Sequence, residues 1–518
     1  MEGEIYVPLN KAEEEEEELG LRVESGGAKA GTQRRRWWYK SLDGEEAKDM
    51  ILLSMPMILT NVCYDSIPLV SVMFAGHLGE EQLAASNLAN SWASITGFTF
   101  LVGLSGALDT LCGQDFGAKL YKTLGIHLQT SCIISFFFTT LVSILWWYSD
   151  TILTFLHQDP QISKQASLYL KYLIPGLFAY GFLENILRFL QMQSVAFPLV
   201  GLSLMPLIIH VGVAYALIHC TDLAFKGAAL AASISLWMAV IILGMYILHA
   251  NRFKDTWSGF SWEPFYSIFA NLKLALVSAA MSCLDEWAFE LLVLLAGLLP
   301  NSTINTSLIA MCASTENFSF MLSYGLGAAV RLSVKTSIKS CHVNTMLKRD
   351  VCSTRMSNEL GAGNPGRARR AMTVALKLTT FVALAVILVL ILGSHVWAGL
   401  FTNSPAIVDA FSSMTPLLAL SIVLDFVQAT LSGVTRGCGW QHNGAWINLT
   451  TFYLIGMPLA VLLGFKFKLY AQGLWIGFTC GLGLQVVSLL LLTRTRIKLP
   501  ANPSTDILEE QHVPNYVA

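Results

Sequence analysis

The chain carries little charge for its size. Only 13% of its 518 residues are Asp, Glu, Lys or Arg, about half the share of an ordinary soluble domain. With 54% apolar residues and a mean hydropathy of +0.55, the deficit points to a membrane protein. No glycine-rich phosphate loop appears, so direct use of ATP is not expected. The ten cysteines make no disulfide framework, and no pair has metal-ligand spacing. Cys63, Cys132 and Cys283 sit in apolar runs, where cysteine behaves as a small hydrophobe. Cys438 lies in "RGCGWQ", which signals a loop rather than a zinc site. Nothing before Met50 is apolar enough for a signal peptide. No metal, cofactor or nucleic-acid partner is expected.

The charge that is present is unevenly placed around a net of -2. Glu13 to Glu18 is an acidic run, and Arg34 to Arg36 precede Trp37, Trp38 and Tyr39. Residues 1–44 therefore read as a disordered cytoplasmic tail ending in a basic-aromatic interfacial anchor. A spanning helix needs about 20 mostly apolar residues. Twelve stretches qualify: 50–75, 84–108, 124–148, 166–187, 196–218, 227–249, 271–299, 307–330, 372–397, 409–432, 443–464 and 470–493. With the N-terminus inside, the inner connections hold 15 Lys and Arg, counting Arg188 and Arg436, and the outer ones hold 4. The positive-inside rule then places both termini in the cytoplasm and makes Asn301 an outward glycosylation sequon.

The chain also repeats itself. "GLSGALDTLCGQDFGA" from Gly103 aligns without a gap to "GLGAAV" from Gly325 joined directly to "STRMSNELGA" from Ser353. Six of the 16 positions are identical. Arg188 and Gln193 recur as Arg436 and Gln441, and Pro175 recurs as Pro416. The predicted architecture is all-α, with twelve transmembrane helices in two pseudo-symmetric six-helix lobes: an N-lobe at 45–260, a C-lobe at 261–498 and a tail at 499–518. Parallel repeats of this kind place the substrate near the midplane between halves. The offset from Gly103 to Gly325 is 222 and from Thr110 to Thr354 is 244, so residues 331–352 are an insertion of 22. A regulatory loop extension and a translated in-frame intron both account for it. The intron is favoured, since Cys352-Ser353 is codable as a sequence resembling a splice acceptor.

Ionisable residues inside spans cost about 2.5–3.5 kcal/mol each on insertion scales and read as functional by default. "MSCLDEWAFELLVLL" puts Asp285, Glu286 and Glu290 in the seventh span, and Asp425 stands among apolar neighbours in the tenth. Removing a carboxylate from water disfavours its charged form, and a proton-coupled exporter needs acids that exchange protons. Asp285, Glu290 and Asp425 are therefore the predicted proton-coupling set, with Glu286 and Asp65 as additional cavity acids. Structural pairing of buried acids is the competing reading. Asp109 reads as a helix-end hydrogen-bonding group, Glu184 as a partner of Arg188 one turn on, and His127 and His210 as hydrogen-bonded helix residues. Trp287, Phe289, Phe318, Phe320 and Tyr324 are suited to stacking on a cation, against plain packing. Trp287, Phe318, Tyr324 and Gln428 are the substrate-cavity candidates.

Several of these stretches carry a family resemblance. "MFAGHLGEEQLAASNLA", "ALDTLCGQDFGA", "CLDEWAFELLVLLAGLLPN", "STRMSNELGAGNP" and "SGVTRGCGWQ" resemble the multidrug and toxic compound extrusion (MATE) family in its plant branch, over roughly residues 45–500. The resemblance implies two six-helix lobes in an outward-opening V and export by cation antiport, with eukaryotic members generally proton-coupled. The seventh-helix pattern of relatives resembles "CLEWWSFE": its two acids fall on Asp285 and Glu290, its second Trp on Trp287, and its first Trp has become Glu286. The tenth-helix acid falls on Asp425. Asp115, where relatives carry a small residue after "CGQ", is a further departure. Relatives also run from an "AAV"-like end straight into "STRVSNELGAG", without the insertion.

The expected function is thus a proton-coupled antiporter, monomeric and not an enzyme, exporting cationic or amphipathic organic metabolites and xenobiotics across the plasma or vacuolar membrane. A lipid-type flippase or channel on the same scaffold, and an inactive product of a mis-spliced gene, stay open. An intramembrane enzyme would need facing aspartates with a glycine-aspartate signature, and "YGLG" lacks that Asp.

Overall fold

The structure is a computed structural model that describes residues 44–330, 365–399 and 405–496, apart from positions 157, 194, 196 and 301. The twelve long helices are α1 (Gly44–Gly76), α2 (Glu81–Gly117), α3 (Tyr121–Trp147), α4 (Pro160–Met192), α5 (Phe197–His219) and α6 (Phe225–His249). The second half supplies α7 (Pro264–Gly297), α8 (Ser302–Val330), α9 (Pro365–Gly399), α10 (Pro405–Gly437), α11 (Gln441–Lys466) and α12 (Tyr470–Arg496). Among the described residues, eleven helices are long and apolar enough to cross a membrane. The 29-residue α8 holds the place of the remaining expected span. No strand occurs among the described residues. The insertion at 331–352, both tails and the sequon at Asn301 lie outside the described residues.

Local chemistry sets the helix ends and their irregularities. Asp159 caps α4, its carboxylate accepting from the backbone N–H of Gln161 at 2.8 Å and Ile162 at 3.1 Å, with Pro160 at the first helical position. The matched prolines Pro175 and Pro416 sit inside α4 and α10. Turns of π-helix interrupt α2 at Ser94–Phe98 and α11 at Leu449–Gly456 and Leu462–Lys466. Such turns shift the side-chain register and loosen local backbone bonding. Outward-facing apolar side chains such as Phe137, Leu141, Leu388 and Leu392 are exposed, as a lipid-facing surface requires.

Two buried apolar clusters define the lobes. One runs from Tyr64 to Ala279 and the other from Ala288 to Leu482. The changeover falls inside α7, whose first half packs on the first lobe and second half on the other. Between lobes, α2 packs on α7 and α8 packs on α1. The repeat matches α2 with α8 and α1 with α7, so these are one contact made twice.

Hydrogen bonds and close packing tie the lobes at one end. A Cβ on Gly103 of α2 would lie 2.5 Å from the Ala279 Cα of α7, so glycine permits the approach. Thr110 donates to the Arg436 carbonyl and accepts from Gln441 Nε2 at 2.6 Å. Gly439, at φ +76°, makes the turn between α10 and α11 that lies against the Thr110 methyl.

Candidate functional site

Between the lobes lies a cavity of about 650 Å³. It sits on the side of the tie toward the start of α2: the α2 lining runs from Ser91 to Val102, whereas the tie runs onward from Gly103. Seven carboxyl side chains line it. Asp65 and Glu184 come from α1 and α4, and Asp285, Glu286, Glu290, Glu316 and Asp425 from α7, α8 and α10. Against them stand Arg188 and Arg436, with no lysine or histidine among the described residues of the lining. Taking charge out of water is expensive unless it is paired, protonated or bound, so this density of acids needs an explanation.

The α7 acids face the cavity for a helical reason. Asp285, Glu286, Phe289, Glu290 and Val293 all line it, a spacing that keeps one stripe of the helix inward. The Asp285 carboxylate is held by amides, accepting from Gln485 Nε2 at 2.9 Å and Gln428 Nε2 at 3.4 Å. Gln485 also donates to Asn448 at 2.7 Å, and Asn448 donates to the Met281 carbonyl at 2.9 Å. One polar chain therefore links α7, α10, α11 and α12. Asp425 and Glu316 differ from Asp285. Both are buried, yet Asp425 Oδ2 and Glu316 Oε1 have no hydrogen-bond partner among the described residues. Glu316 does accept from Ser421 at 3.0 Å through its other oxygen.

Of the predicted site residues, Asp285, Glu286, Glu290, Asp425, Asp65 and Gln428 are brought together around one cavity. Trp287 is not among them. One step from Glu286 turns it about 100° off the cavity stripe, and its indole N–H donates to the Ile95 carbonyl at 3.2 Å, in the π-turn of α2. The side chains of Phe318 and Tyr324 lie outside the described residues. Glu316 was missed by sequence reasoning, although the rule that flags ionisable groups in apolar spans applies equally to "ASTENFSF". Gln485 and Asn448 carry no comparable signal, since neutral amides in membrane helices are commonplace.

Arg188 acts electrostatically on Glu184, as the helical spacing suggested, but its direct ion pair is with a different acid. It forms a buried ion pair with Asp109 of α2 at 2.9 Å, both side chains 1% exposed. Glu184 also faces the cavity, with Tyr180 as its hydrogen-bonding neighbour. Arg188 and Arg436 are thus cavity groups rather than loop charges, which reduces the inner count of 15 basic residues to 13 against 4 outer ones. Asp115 accepts from Thr123 and from His127 Nε2 at 3.1 Å. His210 lies between Ser71 and Ser235 at 3.2 and 2.9 Å, a buried helix–helix hydrogen bond.

Two helical lobes around a cavity rich in acids define a membrane transporter. The MatE family model matches residues 56–216 and 352–462, the second stretch beginning at the last residue of the insertion. Protein DETOXIFICATION 18 of Arabidopsis thaliana is 54% identical over 454 residues, covering 88% of this chain and 92% of that protein. Protein DETOXIFICATION 17 of the same plant is 41% identical over 449 residues, covering 87% and 90%. The crystal structure of the eukaryotic MATE transporter AtDTX14 superposes with a TM-score of 0.78 at 36% identity, covering 87% of this chain and 99% of that one. The chain belongs to the MATE family, in the plant DETOXIFICATION branch. It is a multi-pass membrane efflux transporter of small molecules, in a family of transporters rather than enzymes.

Proposed function

We propose that the protein is a proton-coupled antiporter that exports cationic or amphipathic organic molecules. The observation that carries this reading is the imbalance of seven carboxyls against two arginines around one interlobe cavity. Arg188 is already engaged by Asp109, so the free charge of the cavity is negative and suits a cation. Asp425 and Glu316 supply buried carboxyl oxygens without a donor among the described residues, and a proton or a cationic ligand relieves the cost of leaving them so. Proton and substrate then compete for the C-lobe acids Asp285, Glu290, Glu316 and Asp425. That competition is the requirement for antiport. Protonation removes the charge that held the cation and releases it.

The surplus of basic residues in one set of connections favours cytoplasmic termini. The tie at Thr110, Arg436 and Gln441 then faces the cytoplasm and the cavity opens outward. The same polarity suits either the plasma membrane or the vacuolar membrane, and the two complete lobes suit a monomer. The test is uptake of an organic cation into proteoliposomes against an imposed proton gradient. The expected result is gradient-driven uptake that is lost when Asp425→Asn and Glu290→Gln are combined. Uptake that ignores the gradient, or survives the double substitution, overturns the proposal.

A further inference from the structure

The N-lobe acids Asp65 and Glu184 have no task in proton exchange at the C-lobe. We propose that they form a second anionic wall and that the cavity takes elongated organic dications, one positive head on each lobe. This rests on the cation-export reading and narrows its substrate class.

The two walls are built alike. Asp65 of α1 has Glu184 of α4 as its acidic neighbour, whereas Glu286 has Glu290 one turn along α7. Asp65, Glu286 and Glu290 make no hydrogen bond or ion pair among the described residues, so each is available to a ligand. An aromatic pair flanks each wall. Phe98 and Tyr180 have ring centroids 4.7 Å apart on the N-lobe side, and Phe289 and Phe478 are 4.6 Å apart on the C-lobe side; all four line the cavity. Carboxylates beside aromatic faces are the setting in which alkylammonium groups are held.

Charge balance favours two heads over one. Among the described residues the lining holds no third basic residue, so on the N-lobe side Arg188 alone serves both Asp109 and Glu184. A monocation seated on the C-lobe wall leaves Asp65 facing it across the cavity without a counter-charge, and leaves Glu184 to share Arg188 with Asp109. Deeper in, Asp425 and Glu316, 6% and 1% exposed, still present carboxyl oxygens without donors among the described residues. A ligand with two cationic ends and an apolar spacer meets both walls and lays its spacer along the aromatic residues between them.

The test compares α,ω-bis(trimethylammonium)alkanes of increasing length with the alkyltrimethylammonium of the same length. Both series are measured by displacement of a bound dye from the purified full chain and by proteoliposome uptake. At the best length the dication is expected to bind about tenfold more tightly, the effect of one added cation contact of about 1–2 kcal/mol. Asp65→Asn brings the dication-to-monocation ratio toward one whatever happens to the absolute affinities, and Asp65→Glu restores it. A ratio near one at every length in the wild type, or a ratio that survives Asp65→Asn, overturns the inference and leaves cation export standing. Binding of neither series overturns both.

Discussion

Replacing Thr110 with valine keeps the side-chain shape and deletes both hydrogen bonds that it makes across the lobes. In the wild type the hydroxyl donates to the Arg436 carbonyl and accepts from Gln441 Nε2. Each such bond is worth about 0.5–1.5 kcal/mol net. The loss falls below the top of that sum, because Gln441 Nε2 also reaches the Arg436 carbonyl at 3.4 Å and keeps a partner. About 1–2 kcal/mol remains, a factor of roughly 5–30 in any equilibrium between the tied and untied arrangements. Spin labels at Lys122→Cys and His442→Cys, both exposed near the tied end, report the separation by pulsed dipolar spectroscopy. The other reactive cysteines are replaced in that background. Measured at a proton and substrate load where the wild type shows two separations, Thr110→Val is expected to enrich the longer one by that factor. Unchanged populations would refute the claim that these bonds hold the lobes together.

Asp109→Asn leaves Arg188 charged in a site 1% exposed; the expected loss is about 3–5 kcal/mol, read as a fall in the detergent melting temperature. Pairing Asp109→Leu with Arg188→Met recovers part of it, since the buried guanidinium leaves together with its carboxylate while Glu184 loses the same counter-charge. Gly477→Ala places a Cβ 2.2 Å from the Ala460 backbone nitrogen and so drives α12 off α11; a melting temperature equal to wild type would contradict the packing. Removing residues 331–352 joins the two halves of the repeated motif, so the shortened chain is expected to transport at least as well as the full one. The major transcript is expected to lack those codons, and sequencing across the junction checks it.

The helices were legible because a membrane leaves few alternatives: apolar runs of spanning length must close their backbone hydrogen bonds internally. Each expected span falls within one helix to within two residues at either end. On α7 the helical spacing already put Glu286 and Glu290 on one face, and both line the cavity. The direct ion pair of Arg188 was not legible, because helical spacing offered only its neighbour Glu184 and the fold alone brings Asp109 of another helix to it. Trp287 misled for a related reason. Its family position and its aromatic ring suggested the cavity, while the carbonyl that takes its N–H lies on α2, in a π-turn that no pattern of apolar residues announces. The amide chain through Gln485 and Asn448 stayed hidden because its members are uncharged and nearly 40 residues apart.

The buried pair between Asp109 and Arg188 also bears on how the chain is made. The two residues are separated by 79 positions, so α2 leaves the ribosome before its counter-charge exists. Asp109 alone in a bilayer carries an insertion penalty of about 2.5–3.5 kcal/mol, and the penalty is relieved only when α4 arrives. Helices α2 to α4 are therefore expected to settle as a group rather than one by one. A nascent chain halted before Arg188 should hold α2 less securely than one halted after it, which places the earliest checkpoint of this transporter's biogenesis inside its N-lobe.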